Sequence, residues 1–200
     1  KIESEEEEDS AGDGKILLRH DPLDGSKHYF VGIPIVASSA ALIEEDNPQF
    51  GMVLDPHLNS IYHAFHREGA FLNNKQVRVS NRSISDDHSF IMVESPTSKI
   101  FRDDPQKFDG LIKTFSQIAQ TSFRTRNIGL ASLAICLVAD GSSSAFVDLS
   151  GTTKLVDVEG ATIIAKEAGA LVSEVGPDKI LVIANPKAME ELIELIELAN

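Results

Sequence analysis

Leu17-Leu18-Arg19-His20-Asp21-Pro22-Leu23-Asp24-Gly25-Ser26 sets an apolar run directly before two carboxylates, a proline and a glycine. Lys15 to His20 reads as a short strand interrupted by Asp21-Pro22, so it delivers acidic side chains at its C-terminal end. Sites in α/β proteins collect at that end of their strands. Asp21 and Asp24 flank a Pro-Leu pair, so the backbone turns between them. Both carboxylates and the Leu23 carbonyl can then converge on one hard cation, and such oxygen-rich coordination suits Mg²⁺. Gly25 permits close backbone approach, and Ser26 offers a hydroxyl and an amide to a phosphate. The same residues also read as an Asp-capped turn between strand and helix, and spacing alone leaves both readings open. A haloacid-dehalogenase-type nucleophile needs aspartates two residues apart, whereas these are three apart, and no EF-hand series of ligands follows Gly25.

Upstream, Lys1-Ile2-Glu3-Ser4-Glu5-Glu6-Glu7-Glu8-Asp9 leads into the turn-rich Ser10-Ala11-Gly12-Asp13-Gly14, with no helix or strand expected, as though the chain began within a domain. Downstream, Ile33 to Glu44, Phe50 to Leu54 and Ser60 to Phe65 read as an antiparallel meander with turns at Asp46-Asn47-Pro48 and Asp55-Pro56-His57. Short strands are expected at Gly69 to Phe71 and Phe90 to Val93. From Asp104 the pattern alternates: helix Pro105 to Gln120, strand Ser122 to Thr125, helix Leu130 to Ala139, strand Ala145 to Asp148, and helix Asp157 to Ala168 closed by Gly169. Asn185 caps a last helix, with Pro186 in its first turn and Met189, Leu192, Ile193 and Ile196 on one face. The expected organisation is an N-terminal α+β part, residues 1–103, holding the acidic motif and an antiparallel sheet. A C-terminal αβα part, residues 104–200, shares one compact catalytic unit with it.

Composition narrows the function. With 200 residues, 42% of them hydrophobic, the chain can bury a sizeable core. A net charge of -13 repels phosphate backbones and the basic residues form no stripe, which argues against nucleic acid as a partner. No apolar run approaches the roughly 20 residues that span a bilayer, and the N-terminus is acidic where a secretory signal is basic and apolar, so a cytoplasmic protein without a membrane partner is expected. The lone Cys136 lies in an apolar stretch and reads as a buried, inert thiol. His57, His63, His66 and His88 lack ligand spacing, so a zinc site is not expected. An acidic protein acting on phosphates needs cations between itself and its substrate, and carboxylates are abundant here.

The opening stretch resembles the aliphatic-D-P-[IL]-D-G-[ST] signature of the inositol monophosphatase family. The resemblance continues through Phe30-Val31-Gly32-Ile33-Pro34, Gly51-Met52-Val53-Leu54-Asp55-Pro56 and Gly69-Ala70-Phe71-Leu72-Asn73-Asn74. It goes on through Arg126-Asn127-Ile128-Gly129-Leu130-Ala131, Asp157-Val158-Glu159-Gly160-Ala161 and Glu167-Ala168-Gly169. In that family a Ser-Glu-Glu or Gly-Glu-Glu segment precedes the first aspartate, and Ser4-Glu5-Glu6 places Glu5 16 residues before Asp21. The resemblance implies an α/β (α+β) fold, a layered αβαβα sandwich of the sugar phosphatase type. It implies two or three Mg²⁺ ions held by Glu5, Asp21, the Leu23 carbonyl, Asp24 and Asp157. It makes Glu5, Asp21 and Ser26 catalytic, with water activated for in-line attack and the leaving alkoxide stabilised by a second ion. The Gly25 and Ser26 amides would hold the phosphate. Ala145 to Gly151 is similar to archaeal members that combine inositol monophosphatase with fructose-1,6-bisphosphatase activity, and Arg126, Gly129, Ala131 and Asp148 would face a small-molecule phosphate substrate.

Departures from the family accompany these matches. Val156 stands where tryptophan usually precedes the distal aspartate, His20 replaces an aliphatic residue, and Leu130 and Glu159 occupy positions where small or hydroxyl residues are common. The family's helical leader is expected to be missing, and a homodimer is expected to cover surface that this would expose. Two alternatives stand beside the sugar phosphatase. One is a 3′-phosphoadenosine 5′-phosphate nucleotidase, for which neither an adenine-stacking aromatic nor a basic 5′-phosphate site stands out. The other is a catalytically impaired, metal-binding relative serving as an assembly subunit.

Overall fold

The computed structural model describes residues 1–5 and 15–199. The acidic run Glu6 to Asp9 and the turn Ser10 to Gly14 lie outside the described residues. The meander forms a seven-stranded sheet in sequence order: β1 (Ile2–Ser4), β2 (Ile16–Asp24), β3 (Ala37–Glu44), β4 (Asn47–Asp55), β5 (Ser60–Phe65), β6 (Gly69–Leu72) and β7 (Lys75–Val77). In β3, buried Ala37, Ser39, Ala41 and Ile43 alternate with less buried neighbours, the period-2 signature of a sheet with one face on the core.

A strand where none was expected, β1, pairs parallel to β2 in the register Ile2↔Leu18, Glu3↔Arg19, Ser4↔His20. Ile2-Glu3-Ser4 is too short to carry a periodicity of its own. The strand is fixed instead by a partner sixteen residues away, for Arg19 bridges Glu3 at 2.7 Å and Glu159 at 2.6 Å. β2 likewise runs past its expected end at His20, through Pro22 to Asp24.

The second sheet comprises β8 (Phe90–Glu94), β9 (Arg124–Arg126), β10 (Ala145–Asp148), β11 (Leu171–Val175) and β12 (Ile180–Ala184), in the order β11-β12-β10-β8-β9. β8 is parallel to both β9 and β10, so all three end on one edge of the sheet. The β11-β12 hairpin was not among the expected elements, although Gly176-Pro177-Asp178 between its strands carries the turn signal.

The helices are α1 (Ser26–Phe30), α2 (Ser98–Asp103), α3 (Pro105–Thr121), α4 (Ala131–Ala139), α5 (Leu155–Glu167) and α6 (Pro186–Ala199). Apolar on all sides and almost wholly buried, α4 lies beside α5 in the middle of the molecule. One core cluster joins the first sheet through these two helices to Met92, Phe146 and Ile183 of the second sheet. A second cluster joins the opposite face of that sheet, through Ile91, Val147 and Val182, to Leu111 and Ile118 of α3 and Leu192 and Ile196 of α6. The layers are therefore sheet, helix pair, sheet, helix pair. Four layers of the expected αβαβα sandwich are present among the described residues. The two sequence parts interleave: β8 pairs into the second sheet, and α5 packs on the first.

The feature of this packing that positions the site is a glycine contact. A Cβ on Gly160 would lie 2.5 Å from the Ala40 carbonyl oxygen, and one on Gly51 would overlap the carbonyl of Gly160. The helix therefore seats its backbone on β3 and β4 and brings Asp157, one turn earlier, against β2. Gly160→Ala is expected to cost about 1–3 kcal/mol through overpacking. Thermal denaturation should show a melting temperature about 2–4 °C lower per kcal/mol; an unchanged value would contradict the contact.

Candidate metal centre

Register explains how distant carboxylates meet. Because Ser4 pairs with His20, the next residue, Glu5, comes alongside Asp21 at the end of the parallel pair. In a regular strand, residues three apart point to opposite faces. Here Asp21 pairs with Ser39 and Asp24 with Ala37, so β2 carries one extra residue and bulges at the proline. Ser39 and Ala37 both belong to the buried face of β3, and the bulge therefore aims Asp21 and Asp24 to the same side. Asp157 arrives in the first turn of α5, where its Oδ2 accepts from the Lys154 backbone N–H at 2.9 Å.

One carboxylate oxygen from each of Glu5, Asp21 and Asp157 lies within 4.8 Å of the others. Asp21 is fully buried; its Oδ1 accepts from the Leu23 N–H at 2.9 Å, and its Oδ2 has no hydrogen-bond partner. Asp157 Oδ1 is likewise buried and unpartnered. A buried carboxylate oxygen without a donor is costly, and convergent oxygens of this kind are the donor set that a hard divalent cation takes. The residues present fit Mg²⁺.

Electrostatics agree. Burial, reinforced by Asp24, Glu5 and Asp157, pushes the Asp21 carboxyl up to about 7. Burial, with Glu5 and Asp24, pushes Asp157 up to about 6. Asp24 is also raised by burial, although the Ser132 hydroxyl and backbone N–H both donate to its Oδ2. Glu5 moves the other way, held below the usual carboxylate range by the Lys154 ammonium at 2.7 Å.

A cleft of about 760 Å³ opens beside the cluster, bordered by Glu5, Leu23, Asp24, Gly25, Ser26, Gly129, Ala131 and Asp157. Gly25 has φ 86°, and a Cβ there would meet Leu130 Cδ1 at 2.5 Å, so glycine is required. Two other expected substrate residues do not border this cleft. The Arg126 guanidinium lies over the Phe90 ring and donates to the Thr125 carbonyl at 2.8 Å. Asp148 Oδ1 accepts from the Ser150 N–H and hydroxyl, and Asp148 lines an adjoining cavity that shares Gly151, Thr153 and Lys154 with the cleft. Sequence reading missed Ser132, Lys154 and Glu94. Glu94 borders the cleft and is pushed up to about 7 by burial and by Asp148 and Asp24. Its place at the C-terminal end of β8 was the available signal.

Arranged this way, the chain has a carboxylate cluster that could hold a cation, beside an open, polar cleft. The sequence matches the inositol monophosphatase family over residues 1–199. It is 32% identical over 199 residues to a putative Nus factor SuhB of Neisseria meningitidis, covering 94% of this chain and 73% of the relative. It is 28% identical over 184 residues to a fructose-1,6-bisphosphatase/inositol-1-monophosphatase of Methanocaldococcus jannaschii, covering 86% and 67%. A fructose-1,6-bisphosphatase of Pyrococcus furiosus is 32% identical over 154 residues, 77% of this chain and 54% of that one. The chain thus spans about half to three quarters of these relatives. The crystal structure of SuhB from Bartonella henselae shares the fold, with a TM-score of 0.86 at 24% identity over 98% of this chain and 75% of that one. This chain belongs to the inositol monophosphatase family, a family of phosphoric monoester hydrolases.

The raised carboxyls set a pH dependence. Asp21 and Asp157 keep protons in the folded state up to about 7 and about 6 that the unfolded chain loses near 3.8. Without metal, stability is therefore expected to fall as pH rises through that window. In EDTA the melting temperature should drop from about pH 4 to about pH 7, and saturating Mg²⁺ should remove the drop. A flat profile in EDTA would contradict the cluster's self-repulsion.

Proposed function

We propose that this chain hydrolyses small phosphate monoesters, such as inositol-1-phosphate or fructose-1,6-bisphosphate, with Mg²⁺ held by Glu5, Asp21, the Leu23 carbonyl, Asp24 and Asp157. The observation that carries this reading is the convergence of three carboxylates within 4.8 Å beside an open cleft. Magnesium, when bound, supplies Lewis-acid charge to the phosphoryl oxygens and acidifies nearby water. Glu5, a carboxylate ionised at neutral pH, accepts a proton from the attacking water, and the exposed Ser26 hydroxyl helps orient it. The Gly25 and Ser26 amides hold the phosphate, and the alcohol portion of the substrate rests against Gly129 and Ala131, which border the same cleft. Arg126 and Asp148 do not border the cleft: the Arg126 guanidinium lies over Phe90, and Asp148 Oδ1 accepts from Ser150.

In this reading the protein works in the cytoplasm as a homodimer. No helix among the described residues is long and apolar enough to cross a membrane, and the consecutive Tyr29, Phe30 and Val31 are strongly exposed and would be covered by a second copy. A second reading, a metal-binding assembly subunit without turnover, is supported by that same surface and by the 32% identity to a putative Nus factor.

Phosphate release from inositol-1-phosphate and fructose-1,6-bisphosphate, with and without Mg²⁺, separates the two readings. The enzyme reading expects metal-dependent release. It also expects Asp24→Asn to reduce release by at least about 100-fold while the chain stays folded, given that loss of an outer-shell partner alone costs about 10–100-fold. Absence of turnover with Mg²⁺ still raising the melting temperature would favour the assembly subunit, and full activity in Asp24→Asn would refute the ligand assignment.

A further inference from the structure

Among the described residues, Lys154 is the side-chain cation bonded to the carboxylate cluster. Its Nζ lies 2.7 Å from Glu5 Oε1, and its backbone N–H donates to Asp157 Oδ2 at 2.9 Å. The root of the residue is thus pinned at the start of α5, while the side chain, 61% exposed, reaches across to Glu5 through solvent. An ammonium placed in this way can leave Glu5 without stranding a buried charge, because water takes over its solvation. Glu5 is one of the three residues whose oxygens converge, so the contact that holds it in place uses a carboxylate that a divalent cation would also take.

We propose that Lys154 is a built-in competitor for the metal at Glu5. Its ammonium holds the Glu5 carboxylate near Asp21 and Asp157 before a cation arrives, and it is displaced as the cation takes that carboxylate. Three carboxylates, Glu5, Asp157 and Asp21, act on this single ammonium, so a dication prevails, but with lower affinity than the carboxylates alone would give. Once displaced, the ammonium remains in the cleft, which Lys154 borders, on the side open to an anionic substrate. The consequence is a metal site that is pre-shaped yet exchangeable, tuned by one exposed residue outside the ligand set. This inference rests on the reading of Glu5, Asp21 and Asp157 as metal ligands.

The test is a titration of the purified chain with Mn²⁺, with free ion followed by electron paramagnetic resonance, in the wild type, Lys154→Met, Lys154→Arg, Glu5→Gln and the Glu5→Gln/Lys154→Met double variant. Lys154→Met is expected to bind Mn²⁺ about three- to fivefold more tightly, the size of an exposed ion pair, and Lys154→Arg to bind like wild type. In the Glu5→Gln background, Lys154→Met should gain clearly less, because the ion pair with that carboxylate is already gone and only the weaker field of the ammonium on Asp157 and Asp21 is left to remove. In EDTA, Lys154→Met should melt at a lower temperature than wild type, whereas the Mn²⁺-loaded proteins should melt together. Binding in Lys154→Met equal to or weaker than wild type would overturn the competitor role while leaving the metal site intact. Absence of Mn²⁺ binding in the wild type would instead overturn the metal-site reading, and this inference with it.

Discussion

A carboxylate sealed from solvent with one oxygen unpartnered is a standing cost, and Asp21 is held in that state from three directions. The bulge in β2 turns it inward, the Leu23 N–H fixes one of its oxygens, and α5, seated on the sheet through Gly51 and Gly160, closes over it. Nothing in the packing of a hydrophobic core calls for this. The surrounding carboxylates add to the cost, since Asp24, Glu5 and Asp157 all raise the Asp21 carboxyl further. A cation reverses the sign of each of these terms, which is why the arrangement reads as a site and not as a defect in the fold.

The rest of the molecule can be read as the support for that convergence. The first sheet supplies two adjoining strands, β1 and β2, whose register brings Glu5 beside Asp21. The middle helices contribute Asp157 from the start of α5 and the Ser132 donors to Asp24 from the start of α4. The second sheet ends β8 at the cleft with Glu94. Sites at the junction of several elements depend on each element's position, so packing residues such as Gly160 affect chemistry as well as stability.

Much of this was legible in the sequence, for identifiable reasons. Asp21-Pro22-Leu23-Asp24-Gly25 is a local feature, and the residues that make the turn also carry the chemistry. The sixteen-residue spacing from Glu5 to Asp21 was visible as a family pattern, and the structure gives its cause: it is the offset between paired residues of β1 and β2. What was not legible depends on contacts between remote segments. β1 exists through its pairing with β2 sixteen residues on, Ser132 meets Asp24 across 108 positions, and Lys154 meets Glu5 across 149. Arg126 illustrates the converse: its motif neighbours Gly129 and Ala131 border the cleft, while its own side chain folds back over Phe90.

Anomalous diffraction from a crystal grown with Mn²⁺ decides whether Glu5, Asp21 and Asp157 surround a divalent cation as proposed. The proposed site gives an anomalous peak among these three carboxylates, with Asp21 Oδ2 and Asp157 Oδ1 turned toward it and Lys154 withdrawn from Glu5. Carboxylates left in place with no peak between them, and Lys154 still bound to Glu5, would contradict it.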